Sequence, residues 1–152
     1  MIKSSGYLVD IIKYFEGFSA TPYVCAGGYN TIGYGHVIKA SEKFDAPINK
    51  EQATSLLEKD VKYSEKAVCE FIHTRLEIYQ SDALISFTYN LGAGALQRST
   101  LRRKINRGEY RLAAGEFSRW VYAGGKMLNG LVKRRYVESQ LFQGNYVILG
   151  EQ

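Results

Sequence analysis

Apolar residues recur every three to four positions near the start of the chain, which is the spacing of one face of an α-helix. The positions are Leu8, Ile11, Ile12, Phe15 and Phe18. Ser4 or Ser5 can act as the N-cap of this helix, since a serine hydroxyl accepts from the first free backbone N–H groups. We expect the helix to end near Glu16 and Gly17, because glycine readily adopts the conformation that closes a helix.

A second helical pattern begins at Asn49. Asn49 and Gln52 have the spacing of a capping box, in which each side chain accepts a hydrogen bond from the other residue's backbone. The apolar positions that follow at helical spacing are Ala53, Leu56, Leu57, Val61, Ala67, Val68 and Phe71. The pattern predicts a long helix of about five turns over about residues 50–72.

Between these two helices the pattern changes to that of extended chain and turns. The pair Thr21-Pro22 favours extended backbone, and Ala26-Gly27-Gly28 is typical of a tight turn between two strands. We expect the second strand to run from Tyr29 to His36. The residues from Lys39 to Pro47 are interpreted as a loop.

From Ser81 onward the apolar spacing indicates helices only. We expect them over about residues 82–90, 99–108, 109–122 and 129–144, separated by glycines. These elements predict an α+β fold of one 152-residue domain. It would have a small N-terminal lobe with a β-hairpin (about 1–50), a connecting helix (about 50–72) and a helical C-terminal lobe (about 73–152). A cleft between two such lobes is a natural binding site.

Composition places the chain among ordinary globular proteins, with 45% hydrophobic and 23% charged residues. The net charge of +5 favours anionic partners such as a cell-wall polymer or nucleic acid. No stretch reaches the ~20 apolar residues of a membrane span. The segment Met1 to Lys13 lacks the apolar core of a secretory signal. We therefore expect the chain to stay in the cytosol where it is made until another factor releases it.

Two cysteines are too few for a disulfide framework, and their spacing is not that of a metal site. Cys69 lies within the long helical pattern, so we expect it to be a buried free thiol. His36 and His73 are too few to build a zinc site. We predict no metal and no cofactor.

The most informative segment of the chain contains Glu16, Cys25 and Thr31. A carboxylic acid, a thiol and a hydroxyl brought together by a helix and a hairpin can cleave an acetal or ester linkage. Glu16 lies at the negative end of the helix dipole, which favours a protonated acid. Cys25 is unusual because a second carboxylate is the expected partner in glycoside hydrolysis. The thiol can act as a base that activates water or as a nucleophile, and the sequence leaves both roles open.

The same segment resembles a known family. Glu16, Cys25 and Thr31 at this spacing, followed by Ile32-Gly33-Tyr34-Gly35-His36, look like the phage-type lysozymes, or endolysins, of glycoside hydrolase family 24. The resemblance extends over nearly the whole chain. It continues in the segments Phe87–Gly94, Ser99-Thr100-Leu101, Trp120–Gly125, Gly130-Leu131 and Arg134-Arg135. Most members of the family carry aspartate where this chain has Cys25.

The resemblance implies hydrolysis of the β-1,4 bond between N-acetylmuramic acid and N-acetylglucosamine in peptidoglycan. It implies that Glu16, Cys25 and Thr31 are catalytic, and that His36, Tyr89, Asn90 and Thr100 contact the substrate. A structural role is the simpler interpretation of His36, as an isolated histidine in a strand. The implied partner is the glycan strand, without nucleic acid, and the implied protein is a monomer. It would be held in the host bacterial cytoplasm until release to the periplasmic wall.

Two other classes of function remain at this point. A peptidoglycan amidase or endopeptidase would use Cys25 as nucleophile with His36 or His73 as its base. A non-catalytic module would bind the wall or nucleic acid through cationic helices around Arg102 and Arg134. The products of digestion distinguish the enzymes, since a glycosidase creates reducing ends and a peptidase creates amino groups.

Overall fold

The computed structural model describes residues 5–150. Ser4, one of the two predicted N-caps, lies outside the described residues. The helices are α1 (Gly6–Glu16), α2 (Lys50–Phe71), α3 (Ile78–Leu91), α4 (Ala93–Arg98), α5 (Thr100–Asn106), α6 (Tyr110–Glu116) and α7 (Asn129–Phe142). The strands are β1 (Ser19–Val24), β2 (Asn30–Gly33), β3 (His36–Val37), β4 (Tyr122–Ala123) and β5 (Lys126–Met127).

Helix α1 ends at Glu16 with Gly17 at φ 68°, as the pattern predicts. Ser5 occupies the N-cap position, but its side chain does not cap the helix. Its hydroxyl instead donates to the carboxylate of Asp82, which is buried on α3. The start of α1 is thereby attached to the C-terminal lobe.

The N-terminal sheet has three antiparallel strands in the order β1-β2-β3. The prediction of one strand from Tyr29 to His36 is wrong, because the chain reverses between Gly33 and Gly35 and continues as β3. Both glycines have positive φ, 68° and 84°, a conformation that other residues rarely adopt. The reversal carries the chain back toward α1.

Helix α2 carries the predicted capping box, with Asn49 and Gln52 each accepting from the other's backbone N–H. It contacts β2 and β3 on one side and α3 and α4 on the other, so it links the two lobes. The prediction of a buried Cys69 is wrong, since this thiol is free and exposed. Cys69 lies next to the buried pair Ala67-Val68 but on the solvent side of α2.

The C-terminal lobe contains α3–α7, and α3 packs most extensively against α7. The prediction that every element after Ser81 is helical is wrong at residues 122–127, where β4 and β5 form a hairpin. Gly124 and Gly125 form its turn, at φ 58° and 78°. The helix predicted over 109–122 ends at Glu116, and a 3-10 turn over Phe117–Arg119 follows it.

A single cluster of buried apolar side chains joins α1, α2 and the C-terminal helices. Its largest fully buried members include Leu8, Ile12, Phe87, Phe117 and Phe142. Burying side chains of this size contributes about 2 kcal/mol each. The core therefore holds the end of α1, and with it Glu16, in a fixed position. No helix among residues 5–150 is long and apolar enough to span a membrane.

Candidate active site

A cleft of about 400 Å³ lies between the lobes. The sheet contributes one wall, α2 the floor, and α3 with the start of α4 the opposite wall. Its lining residues are Gly35, Val37, Lys39, Asp60, Tyr63, Ser64, Thr88, Tyr89, Gly92 and Ala93. The predicted cleft is thus present in the α+β fold, and Tyr89 lines it.

Glu16 lies against Gly35, a residue of the cleft lining, and its side chain is 21% exposed. Its Oε1 accepts a hydrogen bond of 2.7 Å from Nη1 of Arg134. The turn between β2 and β3 passes directly against the carboxyl group, since a Cβ added to Gly35 would lie 2.8 Å from Oε2 of Glu16. Gly35 therefore serves both the positive φ of the turn and the close approach of backbone to acid.

Arg134 changes the electrostatic expectation for Glu16. The sequence places this carboxyl group only at the C-terminal end of a helix, which disfavours negative charge. The guanidinium, 3% exposed and in contact with the carboxyl group, acts in the opposite sense. The tertiary structure therefore supplies a cationic partner that the local sequence around Glu16 does not reveal.

Cys25 and Thr31 lie on either side of the turn that joins β1 to β2. The backbone N–H of Cys25 donates to the carbonyl of Tyr29 at 2.9 Å. The backbone N–H of Gly28 donates to the carbonyl of Cys25, also at 2.9 Å. Thr31 is buried in β2, and its hydroxyl lies 2.9 Å from the Tyr29 carbonyl. Cys25 is half-buried, so its thiol is fixed by the turn without being enclosed.

A hydrogen bond from the Thr31 side chain is the main cause that lowers the pKa of Cys25 below the usual range of a thiol, and backbone hydrogen bonds around Tyr29 act in the same direction. The Thr31 hydroxyl has one proton, so it donates either to the Tyr29 carbonyl or to the Cys25 sulfur. Donation to sulfur stabilises the thiolate. Thr31 is thus a hydrogen-bond partner of the Cys25 thiol.

Tyr23 is a member of the site that the sequence motifs do not single out. It pairs with Thr31 across the β1–β2 ladder. Burial raises its pKa, and the negative charges of Glu16 and Cys25 raise it further, which places the phenol near both groups. Strand alternation puts Tyr23 and Cys25 on the same face, and that signal could have identified it.

His36 lies in β3, is 4% exposed, and has both ring nitrogens in contact with carboxylates. Nδ1 lies 2.7 Å from Oδ2 of Asp60 on α2, and Nε2 lies 3.0 Å from Oε1 of Glu42. The hydrogen bond to Asp60 raises the pKa of His36, burial opposes this, and Glu42 adds to the increase. This geometry supports the structural interpretation of His36 and leaves neither nitrogen for the predicted substrate contact.

The remaining predicted contacts lie in two separate places. Tyr89 donates its hydroxyl proton to the carbonyl of Tyr34 at 2.8 Å, which ties α3 to the sheet. Asn90 accepts a hydrogen bond of 2.6 Å from Nη2 of Arg135. Thr100 lies elsewhere, beside a depression formed with Arg98, Ser99, Glu116, Arg119 and Trp120. The structure does not bring Thr100 into the cleft lining with Tyr89.

Arg134 is the partner of Glu16 that the sequence motifs do not place in the active site. In the sequence it appears only within a basic run and a C-terminal pair. Its burial beside Glu138, four residues later on α7, is the signal that could have identified it, because a buried arginine needs a carboxylate. Within residues 5–150, no group of three or more His, Cys, Asp or Glu side chains is arranged to hold a metal ion.

Comparison with known proteins shows the family of the chain. The sequence model of the family described as phage lysozyme matches residues 13–138. The chain is 42% identical over 136 residues to an endolysin of Bacillus phage B103, covering 88% of this chain and 51% of that protein. It is 36% identical to an endolysin of Acyrthosiphon pisum secondary endosymbiont phage 1, covering 88% of this chain and 92% of the relative.

A solved structure extends the likeness to the fold. The muramidase domain of SpmX from Asticaccaulis excentricus superposes with a TM-score of 0.84 at 34% identity, covering 93% of this chain and 98% of that domain. A lysozyme-like α+β fold with a cleft between lobes is thereby established. The chain belongs to the phage lysozyme family. It spans about half the length of the Bacillus phage relatives it matches, at 51% and 52%.

Proposed function

We propose that this chain is a muramidase that hydrolyses the β-1,4 bond between N-acetylmuramic acid and N-acetylglucosamine in peptidoglycan. The single observation that carries the proposal is the position of Glu16, whose carboxyl group is held by Arg134 against Gly35 in the lining of the inter-lobe cleft. The glycan strand lies in that cleft, and no cofactor takes part.

Glu16 acts as the general acid. Breaking a glycosidic bond leaves charge on the departing oxygen, and a carboxylic acid within hydrogen-bond reach supplies the proton. The core-anchored end of α1, the Arg134 guanidinium and the Gly35 backbone together restrict where this carboxyl group can lie. A fixed acid lowers the barrier because orientation is settled before the reaction begins.

Cys25 is the second catalytic group. The Thr31 hydroxyl positions the water or the sugar that reacts with it. The lowered pKa of Cys25 increases the fraction of thiolate near neutral pH. A thiolate that activates water produces an inverted anomer, whereas one that attacks the sugar carbon produces a thioglycosyl intermediate and a retained anomer. Analysis of the anomer first formed from a soluble glycan distinguishes these two courses.

Tyr89 and Asn90 contact the sugars from the C-terminal wall of the cleft. Tyr89 presents a flat apolar ring there, while its hydroxyl is already bonded to the Tyr34 carbonyl. Aromatic faces suit the apolar side of a sugar ring. Thr100 lies beside a separate depression and does not form part of this wall.

We propose that the protein acts on the cell wall as a monomer. Relatives described as endolysins and SAR-endolysins support action on the wall of a host bacterium. In this proposal the protein is made in the host cytoplasm and reaches the periplasmic wall on release. Its net charge of +5 attracts it to an anionic wall, so lysis should slow as salt rises.

Glu16→Gln is the decisive variant, because it preserves shape and removes the acidic proton. Clearing of a peptidoglycan suspension and release of new reducing ends should both be lost, while Glu58→Gln, an exposed carboxylate on α2, serves as the control. A Glu16→Gln protein that clears the suspension as fast as the parent overturns the general-acid assignment. Lysis without reducing ends would then be cationic disruption by a non-catalytic module.

Cys25 is tested by alkylation with iodoacetamide in a Cys69→Ser background, since the exposed Cys69 would otherwise react as well. Complete modification of Cys25 should abolish clearing. Full activity after complete modification would remove Cys25 from the mechanism. The Cys69→Ser protein carried through the same treatment without reagent supplies the matched control.

The amidase alternative is disfavoured by the histidines. Both nitrogens of His36 are held by carboxylates. His73 lies two residues beyond the end of α2, with Nε2 bonded to the carbonyl of Glu70 at 3.0 Å. Neither histidine is arranged as the base for a Cys25 nucleophile. New amino groups in the digest, in place of reducing ends, would reverse this conclusion.

A further inference from the structure

One carboxylate lies at the centre of the C-terminal wall behind the cleft. Glu138 on α7 is 0% exposed and contacts two arginines. Nε of Arg134 lies 3.4 Å from its Oε2, and Nε of Arg135 lies 2.8 Å from its Oε1 as an ion pair outside hydrogen-bond geometry. The hydroxyl of Ser86 on α3 donates to Oε2 at 2.6 Å.

The two arginines reach different residues of the site. Arg134 donates to Oε1 of Glu16 at 2.7 Å, while Arg135 donates to Oδ1 of Asn90 at 2.6 Å. Glu16 is on α1 and Asn90 is on α3, so residues from two elements connect to the same carboxylate on α7. A continuous chain of contacts through Glu138 therefore links the Glu16 carboxyl group to the Asn90 amide.

The burial of these groups makes the arrangement rigid. Arg134 and Arg135 are 3% and 1% exposed, and a buried charge without a partner is costly. Burial lowers the pKa of Arg135. Once Glu16 is protonated, Glu138 is the carboxylate that still balances Arg134, so the guanidinium remains in place as a donor.

We propose that Glu138 is a positioning residue that orients the acid Glu16 through Arg134 and the sugar-binding amide of Asn90 through Arg135. The inference rests on the proposed muramidase function and adds residues with no contact to substrate. It predicts that changes at Glu138 alter the chemistry at Glu16 and the binding at Asn90 together.

The same contacts specify what Asn90 recognises. Guanidinium groups have only donors, so the atom of Asn90 that faces Arg135 must be the amide oxygen. The amide nitrogen then remains to donate, and the substrate group it meets must be an acceptor. An N-acetyl carbonyl or a sugar hydroxyl oxygen has this chemistry.

The test measures kcat and KM, per folded molecule, of Glu138→Gln and Glu138→Asp on purified peptidoglycan. Glu138→Gln should lower kcat about tenfold or more, and Glu138→Asp should restore part of it. The loss of kcat should exceed any loss of folded protein, because the Glu16 carboxyl group is then no longer held by Arg134 in its productive orientation.

Glu116→Gln is the matched control, since Glu116 is also buried and paired with an arginine, 3.0 Å from Arg119, and within residues 5–150 this ion pair does not continue to Glu16. A structural role alone would lower the amount of folded protein and leave kcat per folded molecule unchanged. A folded Glu138→Gln protein with parental kcat overturns the inference.

If Glu138→Gln does not fold, Arg135→Lys tests the same link. Its KM should rise as much as that of Asn90→Ala, and the double variant should show no further increase. Additive increases would overturn the inference. Failure of the muramidase function is recognised separately, because only then does Glu16→Gln remain active.

Discussion

Two ionic clusters flank the cleft, and they differ in burial. On the N-terminal side, His36 contacts Asp60 and Glu42, whose side chains are 20% and 26% exposed. On the C-terminal side, Glu138 contacts two arginines, and all three side chains are at most 3% exposed. The first cluster is partly open to solvent, whereas the second lies away from it.

This difference explains a division of roles. The His36 cluster joins β3, the loop after β3 and α2. Its contribution is therefore to the stability of the N-terminal lobe. The Glu138 cluster has one arginine in direct contact with Glu16, so it bears on the chemistry. Variants in the two clusters should therefore separate stability from turnover.

The largest effect is expected for Arg134→Met. It removes the donor to Glu16 and leaves Glu138 with fewer partners, so kcat should fall about a hundredfold and stability by about 3 kcal/mol. Peptidoglycan clearing and urea unfolding measure the two quantities. Arg119→Met, at a 71% exposed site, should change stability by less than about 1 kcal/mol. Parental turnover in folded Arg134→Met would contradict the role of Arg134.

His36→Gln, in contrast to Arg134→Met, should lower stability without lowering turnover. It removes a buried charged partner of Asp60 and Glu42, so stability should fall by about 2 kcal/mol. Turnover per folded molecule should stay close to that of the parent, because both ring nitrogens are already held by carboxylates. A loss of turnover beyond the loss of folded protein would place His36 in the chemistry after all.

Gly35→Ala combines a smaller stability effect with a local effect on the acid. A residue other than glycine at φ 84° costs about 1–2 kcal/mol, and the new methyl group would displace the Glu16 carboxyl group. Gly108→Ala is the matched control, since Gly108 has φ 77° and open space where its new methyl group would lie. Equal turnover in the two variants would show that the Gly35 contact is unimportant.

The smallest effect concerns pH. The pKa of His36 is raised, so its stabilisation is complete below its ordinary value of about 6.5 and is lost as pH rises through the folded-state value. Burial acts to raise the pKa of Glu42, but the Lys39 N–H and His36 outweigh it, so the net shift is downward. The stabilisation that the Glu42 carboxylate contributes is complete above about pH 4.3, the ordinary pKa of glutamate, and is lost as pH falls through its folded-state pKa.

The free-energy difference between the parent and His36→Gln should consequently be largest between about pH 4.3 and 6.5. Unfolding by urea across this range measures it. The difference between the parent and Arg134→Met should not follow this curve, because arginine keeps its charge throughout the range. Identical pH curves for the two variants would erase the distinction between the clusters.

Local signals predicted much of the fold. The end of α1 at Glu16 and the Asn49–Gln52 capping box are confirmed, because both depend on residues within one or two turns. The hairpin at residues 122–127 was missed, since two-residue strands carry no periodicity and the glycine pair also suits a helix end. The exposure of Cys69 was missed because the side of α2 that faces the core depends on its neighbours.

Spacing along the chain was enough to indicate the family, the two helices α1 and α2, and the segment that holds Glu16, Cys25 and Thr31. Local backbone preferences translate such spacing directly into structure. Which charges meet could be read only from the folded chain. Arg134 reaches Glu16 across 118 positions, and His36 reaches Asp60 across 24. Such contacts depend on how the core packs α1, α2 and α7, and burial then makes each pairing obligatory.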